Sequence, residues 1–273
     1  MALIGVAKDP GEDFLRANFP GERLQTWLWH FLRDQNTFFA QEVQGPDDKK
    51  GMGAYIHAHV HHCRLALQRK GMGFLPSNEI AWIKDDDVQV HFLKFFLRNE
   101  FGSVSPVIHD SVGGRKYVVA FLDCVIRDLS FGVELVGRAR SAWNQQVDNN
   151  RIFDWFKGSE GTLRREFFWD WMRRKFPLEV EGRTNFSNYS DLLIFFDATS
   201  FHFLVKRDIV RTVKQAWSQH LYRQKLEGKK QYNFILSDEA NRLLNELATT
   251  YRMSRPKTIE YLVKEASMKG GAS

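Results

Sequence analysis

The chain has 273 residues, 43% of them hydrophobic, with 39 Lys+Arg against 33 Asp+Glu and a formal charge of +6. A mean hydropathy of -0.41 excludes a disordered or membrane-embedded composition, and the length suits one main domain plus a small module. No apolar run reaches the ~18 residues that span a bilayer, and the opening MALIGVAKDPGEDF carries acids where a secretory leader is apolar.

The first 227 residues read as mostly helix. Glu22 to about Val43 places Leu24, Trp27, Leu28, Phe31, Leu32, Phe38 and Phe39 mostly at spacings of three and four, the stripe of an amphipathic helix. Ala54–Arg69 repeats the pattern with Ile56, Val60, Cys63 and Leu67. The triplet Asp85-Asp86-Asp87 precedes a helix over Val88–Asn99, where carboxylates suit the positive end of the dipole. A hairpin is expected around Gly113-Gly114 within Pro106–Val119. Tyr117 to about Gln146 predicts one long helix bending near Gly132 or Gly137, and Thr162–Phe176 stops before Pro177. Ser190–Phe196 and Phe201 to about Leu226 complete a helical domain over 1–227. Cys63 and Cys124 lie in apolar stretches and read as buried thiols of a reducing, cytoplasmic compartment.

Positive charge is concentrated at the C-terminal end. Residues 206–273 hold 14 Lys+Arg against 7 Asp+Glu, and the remaining 205 residues hold 25 against 26. Such an end suits a polyanionic partner. A polar hinge at Glu227-Gly228-Lys229-Lys230 opens a second module over 228–273. Gln231-Tyr232-Asn233-Phe234-Ile235-Leu236 alternates, with apolar even positions, as a short strand does. Ser237 is an N-cap for a helix to about Tyr251 with Ala240, Leu243, Leu244, Leu247 and Ala248 on one stripe. Ser254 caps a second helix, with Pro256 in its first turn and Ile259, Leu262, Val263 and Ala266 facing inward. A lone strand leaves its backbone unpaired, so antiparallel pairing with a second chain is expected, making residues 231–266 a homodimerisation element.

Strand, caps, Arg-Met-Ser turn and helices in this order resemble the ribbon-helix-helix family of DNA-binding modules (Arc/MetJ-like, also MatP-like) over about 40 residues. The resemblance implies that a two-stranded ribbon enters the major groove of double-stranded DNA with Gln231, Asn233 and Ile235 outward. An amide pairs bidentately with adenine, worth roughly 1–3 kcal/mol of discrimination. Ile235, where the family often has a basic or polar residue, either meets a thymine methyl or weakens the readout. It also implies phosphate contacts from Ser254, Arg255 and Lys257 at the start of the second helix, with Lys229 and Lys230 adding charge. The competing reading of these residues is a plain helical hairpin with a basic surface that dimerises and binds no DNA.

Three clusters in residues 1–227 carry chemical alternatives. His57, His59, His61 and His62 with Cys63 offer pairs of metal ligands on a helix, or polar packing groups. Phe167-Phe168-Trp169-Asp170-Trp171 among Arg164, Arg165, Arg173 and Arg174 is either a stacking surface for nucleic acid or a core with arginines reaching outward. Asp85–Asp87 either hold Mg²⁺ or cap a helix. No phosphate-binding loop, nucleophile elbow or paired-carboxylate nuclease pattern is present. The expectation is therefore a mainly α protein, without cofactor or metal, that binds DNA as a homodimer to regulate transcription or organise DNA in the nucleoid. A protein or ligand partner is expected for the N-terminal domain. The alternatives are an N-terminal enzyme of nuclease or toxin type guided by the module, and an interaction protein that the module only dimerises.

Overall fold

A computed structural model describes residues 10–36, 38–225 and 233–270. Fourteen α-helices and no strand occur among these residues: α1 (Pro10–Asn18), α2 (Glu22–Gln35), α3 (Phe39–Glu42), α4 (Lys49–Ala58), α5 (Val60–Gly71), α6 (Asp87–Phe101), α7 (Gly114–Val125), α8 (Leu129–Asn150), α9 (Gly161–Lys175), α10 (Pro177–Val180), α11 (Tyr189–Ala198), α12 (Phe203–Lys225), α13 (Asp238–Thr250) and α14 (Arg255–Gly270). The chain divides into two compact units, Met1–Ser218 and Gln219–Ser273. No described helix is long and apolar enough to cross a membrane.

The larger unit is built around three apolar cores. The first gathers Leu15, Phe19, Trp27, Leu28, Trp29, Leu32, Phe39 and Tyr55 from α1 to α5. There α1 crosses α4 at a pair of glycines: a Cβ on Gly11 would lie 2.5 Å from the Gly53 carbonyl carbon, and one on Gly53 would lie 2.6 Å from that of Gly11. Only hydrogen at both positions lets the backbones touch. The second core joins Leu93, Leu97, Val118, Phe121, Leu122, Leu135 and Val136 of α6, α7 and α8. The third packs Phe153, Phe156, Phe168, Met172, Phe196, Ile209 and Val213 from α9, α11, α12 and the 3-10 segment Arg151–Phe156.

Several helix boundaries differ from the periodicity. The Glu22–Val43 stripe is interrupted between Gln35 and Phe39, where Asn36 turns to extended backbone. Ala54–Arg69 breaks at His59, which leaves the helical conformation (φ -120°, ψ 65°) while its backbone N–H makes the last α4 bond to the Tyr55 carbonyl at 2.9 Å and its ring Nδ1 reaches the same oxygen at 3.0 Å. The long stretch over 117–146 is two helices. It breaks at Ile126–Asp128, where the Asp128 carboxylate caps α8 by accepting the Phe131 N–H at 2.8 Å. Helix α8 runs through Gly132, where a Cβ would lie 2.7 Å from the Ile126 side chain, so the glycine admits a close approach. The expected hairpin over 106–119 is absent, because Gly114 begins α7. The acidic triplet works as caps and ties: Asp86 accepts the Gln89 N–H and Asp85 the Arg115 N–H, each at 2.8 Å.

The ribbon-helix-helix resemblance is overturned at its first element. Residues 233–237 run without secondary structure into the Ser237 cap, and no strand among the described residues offers them an edge to pair with. A backbone extended by alternation alone gains no ladder hydrogen bonds without such an edge. From Ser237 onward the chain forms a helical hairpin. Ser237 Oγ accepts the Ala240 N–H at 3.2 Å to start α13. The helix ends with Arg252 in the left-handed region (φ 51°), where glycine is the usual occupant. The Met253 N–H bonds the Ala248 carbonyl and the Arg252 N–H bonds that of Thr249. This paired closure turns the chain into α14.

Candidate functional site

The residues singled out in the smaller unit separate into two groups. Gln231, Lys229 and Lys230 lie outside the described residues, while Asn233 and Ile235 are exposed in the irregular segment before α13. Ser254, Arg255 and Lys257 stand together, exposed, on the first turn of α14, whose opening N–H groups point along the positive end of the helix dipole. The Ser254 carbonyl accepts the Thr258 N–H at 2.9 Å and its hydroxyl at 3.2 Å.

The hairpin has almost no interior. Thr258 is its one buried described residue; the α13 stripe is half-buried at Leu244, Leu247 and Ala248, and Leu243 is exposed. Ile259 and Leu262 are half-buried, but Val263 and Ala266, expected to face inward, are exposed. Phe234, Leu236, Tyr251 and Met253 add further exposed apolar surface, and Ile235 is fully exposed.

In the larger unit His59 and His62 pack against Tyr55, while His57 and His61 are exposed. Tyr55 stacks on His59 with centroids 4.0 Å apart, and its hydroxyl lies 2.9 Å from His62 Nδ1 and accepts from Asn36 Nδ2 at 2.8 Å. Burial, then the neighbouring charges of His59 and His61, lower the His62 pKa. Among the described residues no three His, Cys, Asp or Glu side chains converge on a metal position. The aromatic run of α9 is also core: Phe168 and Trp171 are buried, and Phe167 lies at the edge of the Trp217 ring. Arg165 is buried instead of reaching outward, donating to the Phe156 carbonyl and Thr162 Oγ1. Arg164 covers the Trp155 ring at 4.9 Å.

Two further groupings appear only in the folded chain. Asp197 accepts from Gln146 at 2.5 Å through Oδ1, and its buried Oδ2 has no hydrogen-bond partner. Burial pushes its carboxyl up to about 6, with Lys206 and Gln146 pulling back, and burial lowers Lys206. Lys206 is half-buried, and a cavity of about 270 Å³ lies beside it, lined also by Gln146, Asn150 and His202. The second grouping surrounds Cys124, where α2, α5 and the end of α7 leave a cleft holding Arg33, Arg69 and Arg127. Burial pushes the Cys124 thiol up to about 12, which favours its protonated form in the cleft wall. Both depend on contacts between residues far apart in sequence, which periodicity does not reveal.

Comparison with protein-family models, with curated proteins and with solved structures finds no match to this chain.

Proposed function

We propose that the protein is a homodimer that binds double-stranded DNA through its C-terminal unit. The observation carrying this reading is a coreless amphipathic hairpin with a cationic end. A helix pair that leaves Leu243, Met253 and Val263 in water gains little from packing on itself, and short helices depend on tertiary burial for stability. A second copy of the hairpin supplies the missing half of the core. Arg255 and Lys257 beside the free N–H groups of α14 then suit a phosphate, and Arg223 and Lys225 on α12 add positive charge. Base recognition by a two-stranded ribbon has no part in this mechanism; affinity comes from phosphate neutralisation. The role is regulation of transcription or organisation of DNA, with the larger unit sensing a signal or recruiting a partner.

Sedimentation analysis of the full chain tests the dimer, and fluorescence anisotropy with a labelled duplex tests DNA binding. A monomer at micromolar concentration, or a duplex that stays unbound at low salt, refutes the reading.

One observation favours a second reading, catalysis in the larger unit. Asp197 and Lys206 have pKa values pushed toward each other, and Lys206, with the Asp197 partner Gln146, lines a cavity. Cleavage assays on DNA and RNA with and without Mg²⁺, Mn²⁺ or Zn²⁺, repeated on Asp197→Asn, test it; turnover lost in the variant would establish it.

A further inference from the structure

The cleft around Cys124 consists of two adjoining cavities, about 380 and 880 Å³, that share Asp34, Cys124 and Arg127. Both volumes fall in the range of small-molecule sites. The smaller has an apolar side formed by Trp27, Phe31, Leu65 and Met72 and a cationic side formed by Arg69 and Arg127. The larger adds Arg33.

The charges here do not balance. Three guanidinium groups face the cleft against one carboxylate, Asp34, which pairs with Arg33 at 3.3 Å. Arg33 also donates to the Val107 carbonyl at 2.5 Å and stacks over the Trp29 ring. Asp123 acts on Arg69 through its charge but spends the hydrogen bonds of both oxygens on Arg23, and Asp128 caps α8. Arg69 is held in place by its bond to the Ile126 carbonyl. Burial lowers its pKa and the charge of Arg127 lowers it further, with Cys124 and Asp123 pulling back. Arg127 is exposed and makes no hydrogen bond or ion pair among the described residues. An anchored and an unpaired guanidinium beside an apolar wall form a receptor for the opposite charge, because an anion there would relieve their repulsion and gain charge-assisted hydrogen bonds.

We infer that this cleft binds a small organic anion, an apolar body seated against Trp27, Phe31 and Met72 with a carboxylate or phosphate held between Arg69 and Arg127. The site lies within residues 27–127 and does not depend on the C-terminal unit's binding DNA.

The test uses the full chain without DNA. Calorimetric titrations with phenyl phosphate, 3-phenylpropanoate and neutral benzyl alcohol are run on the wild type and on Arg127→Gln, whose exposed side chain can be changed without disturbing packing. At least one anion should bind saturably at one site per chain, about tenfold or more tighter than benzyl alcohol, and weaken about tenfold or more in Arg127→Gln. The stronger of the two anions identifies the head group. As a second readout, inorganic phosphate at constant ionic strength should raise the unfolding temperature, relative to chloride, more in the wild type than in Arg127→Gln, the difference being the part due to this cleft above the general stabilisation that phosphate gives. No saturable binding of either anion, equal binding of benzyl alcohol, or an unchanged affinity or phosphate increment in Arg127→Gln overturns the inference.

Discussion

The guanidinium of Arg23 grips both carboxylate oxygens of Asp123, Nε to Oδ2 at 2.7 Å and Nη2 to Oδ1 at 2.6 Å, and so ties α2 to α7. Asp123 is buried, and the third Arg23 nitrogen, Nη1, donates to the Leu75 carbonyl at 3.0 Å. Burial raises the pKa of Asp123, and Arg23 opposes it. Arg23→Met leaves the carboxylate buried without its partner and should destabilise the protein by about 3 kcal/mol. Arg23→Met with Asp123→Leu removes both charges and should recover more than half of that loss. Urea unfolding of the wild type, the single and the double variant measures both; a double variant no more stable than Arg23→Met would contradict the assignment.

The crossing of α1 and α4 predicts a strong effect from a small change. Gly53→Ala places a methyl group 2.6 Å from the Gly11 carbonyl carbon, far inside van der Waals contact, so the backbone must move. The expected cost is about 2 kcal/mol or more, in the range of overpacked cores. Gly71→Ala, whose added Cβ meets nothing within 4 Å, should be neutral or mildly stabilising and serves as the control. Thermal unfolding of the two variants separates the outcomes.

Two buried groups give opposite pH dependences. His30 Nε2 accepts the His109 N–H at 3.0 Å, so Nδ1 carries the proton that bonds the Thr26 carbonyl at 2.7 Å and the ring is neutral. Burial lowers its pKa from 6.5 to about 4. The unfolded chain therefore binds this proton more tightly, and stability present above pH 6.5 is lost as pH falls toward 4. Asp197 is raised from 3.8 to about 6, so its contribution is full below pH 3.8 and is lost as pH rises through 6. The two partly cancel between pH 4 and 6. Asp197→Asn removes one side: relative to the wild type it should gain about 2 kcal/mol of stability between pH 4 and pH 7, and its own stability should fall more steeply on acidification. Urea midpoints across this range check the sign. A variant whose profile parallels the wild type would show that Asp197 does not titrate there.

Much of the helical architecture was legible because amphipathic spacing and local caps announce themselves. Asp86 before α6, Ser237 before α13 and the stop before Pro177 were readable from single residues and their neighbours. Helix breaks were not, since they arise from side chains acting on the backbone: His59 bonding Tyr55, and Asp128 capping inside an apolar stretch. The strand over 231–236 failed for the opposite reason. Alternation describes a segment's two faces but says nothing of whether an edge exists to receive it, and residues 233–237 have none among the described residues. Of the candidate site, the cationic first turn of α14 was visible in the order Ser254-Arg255-Pro256-Lys257. The Arg69–Arg127 cleft was not, because its walls come from helices separated by some sixty residues and meet only in the folded unit.

The salt dependence of duplex binding tests the central claim most directly. Anisotropy titrations of a labelled DNA duplex with the full chain, between 50 and 200 mM salt, should give a log–log slope of several phosphates' worth of released counterions, about -0.9 for each. Arg255→Gln/Lys257→Gln should weaken binding and flatten the slope by about two such increments, with the dimer intact by sedimentation. A slope near zero, or a double variant that binds with wild-type affinity and slope, would contradict DNA binding through α14.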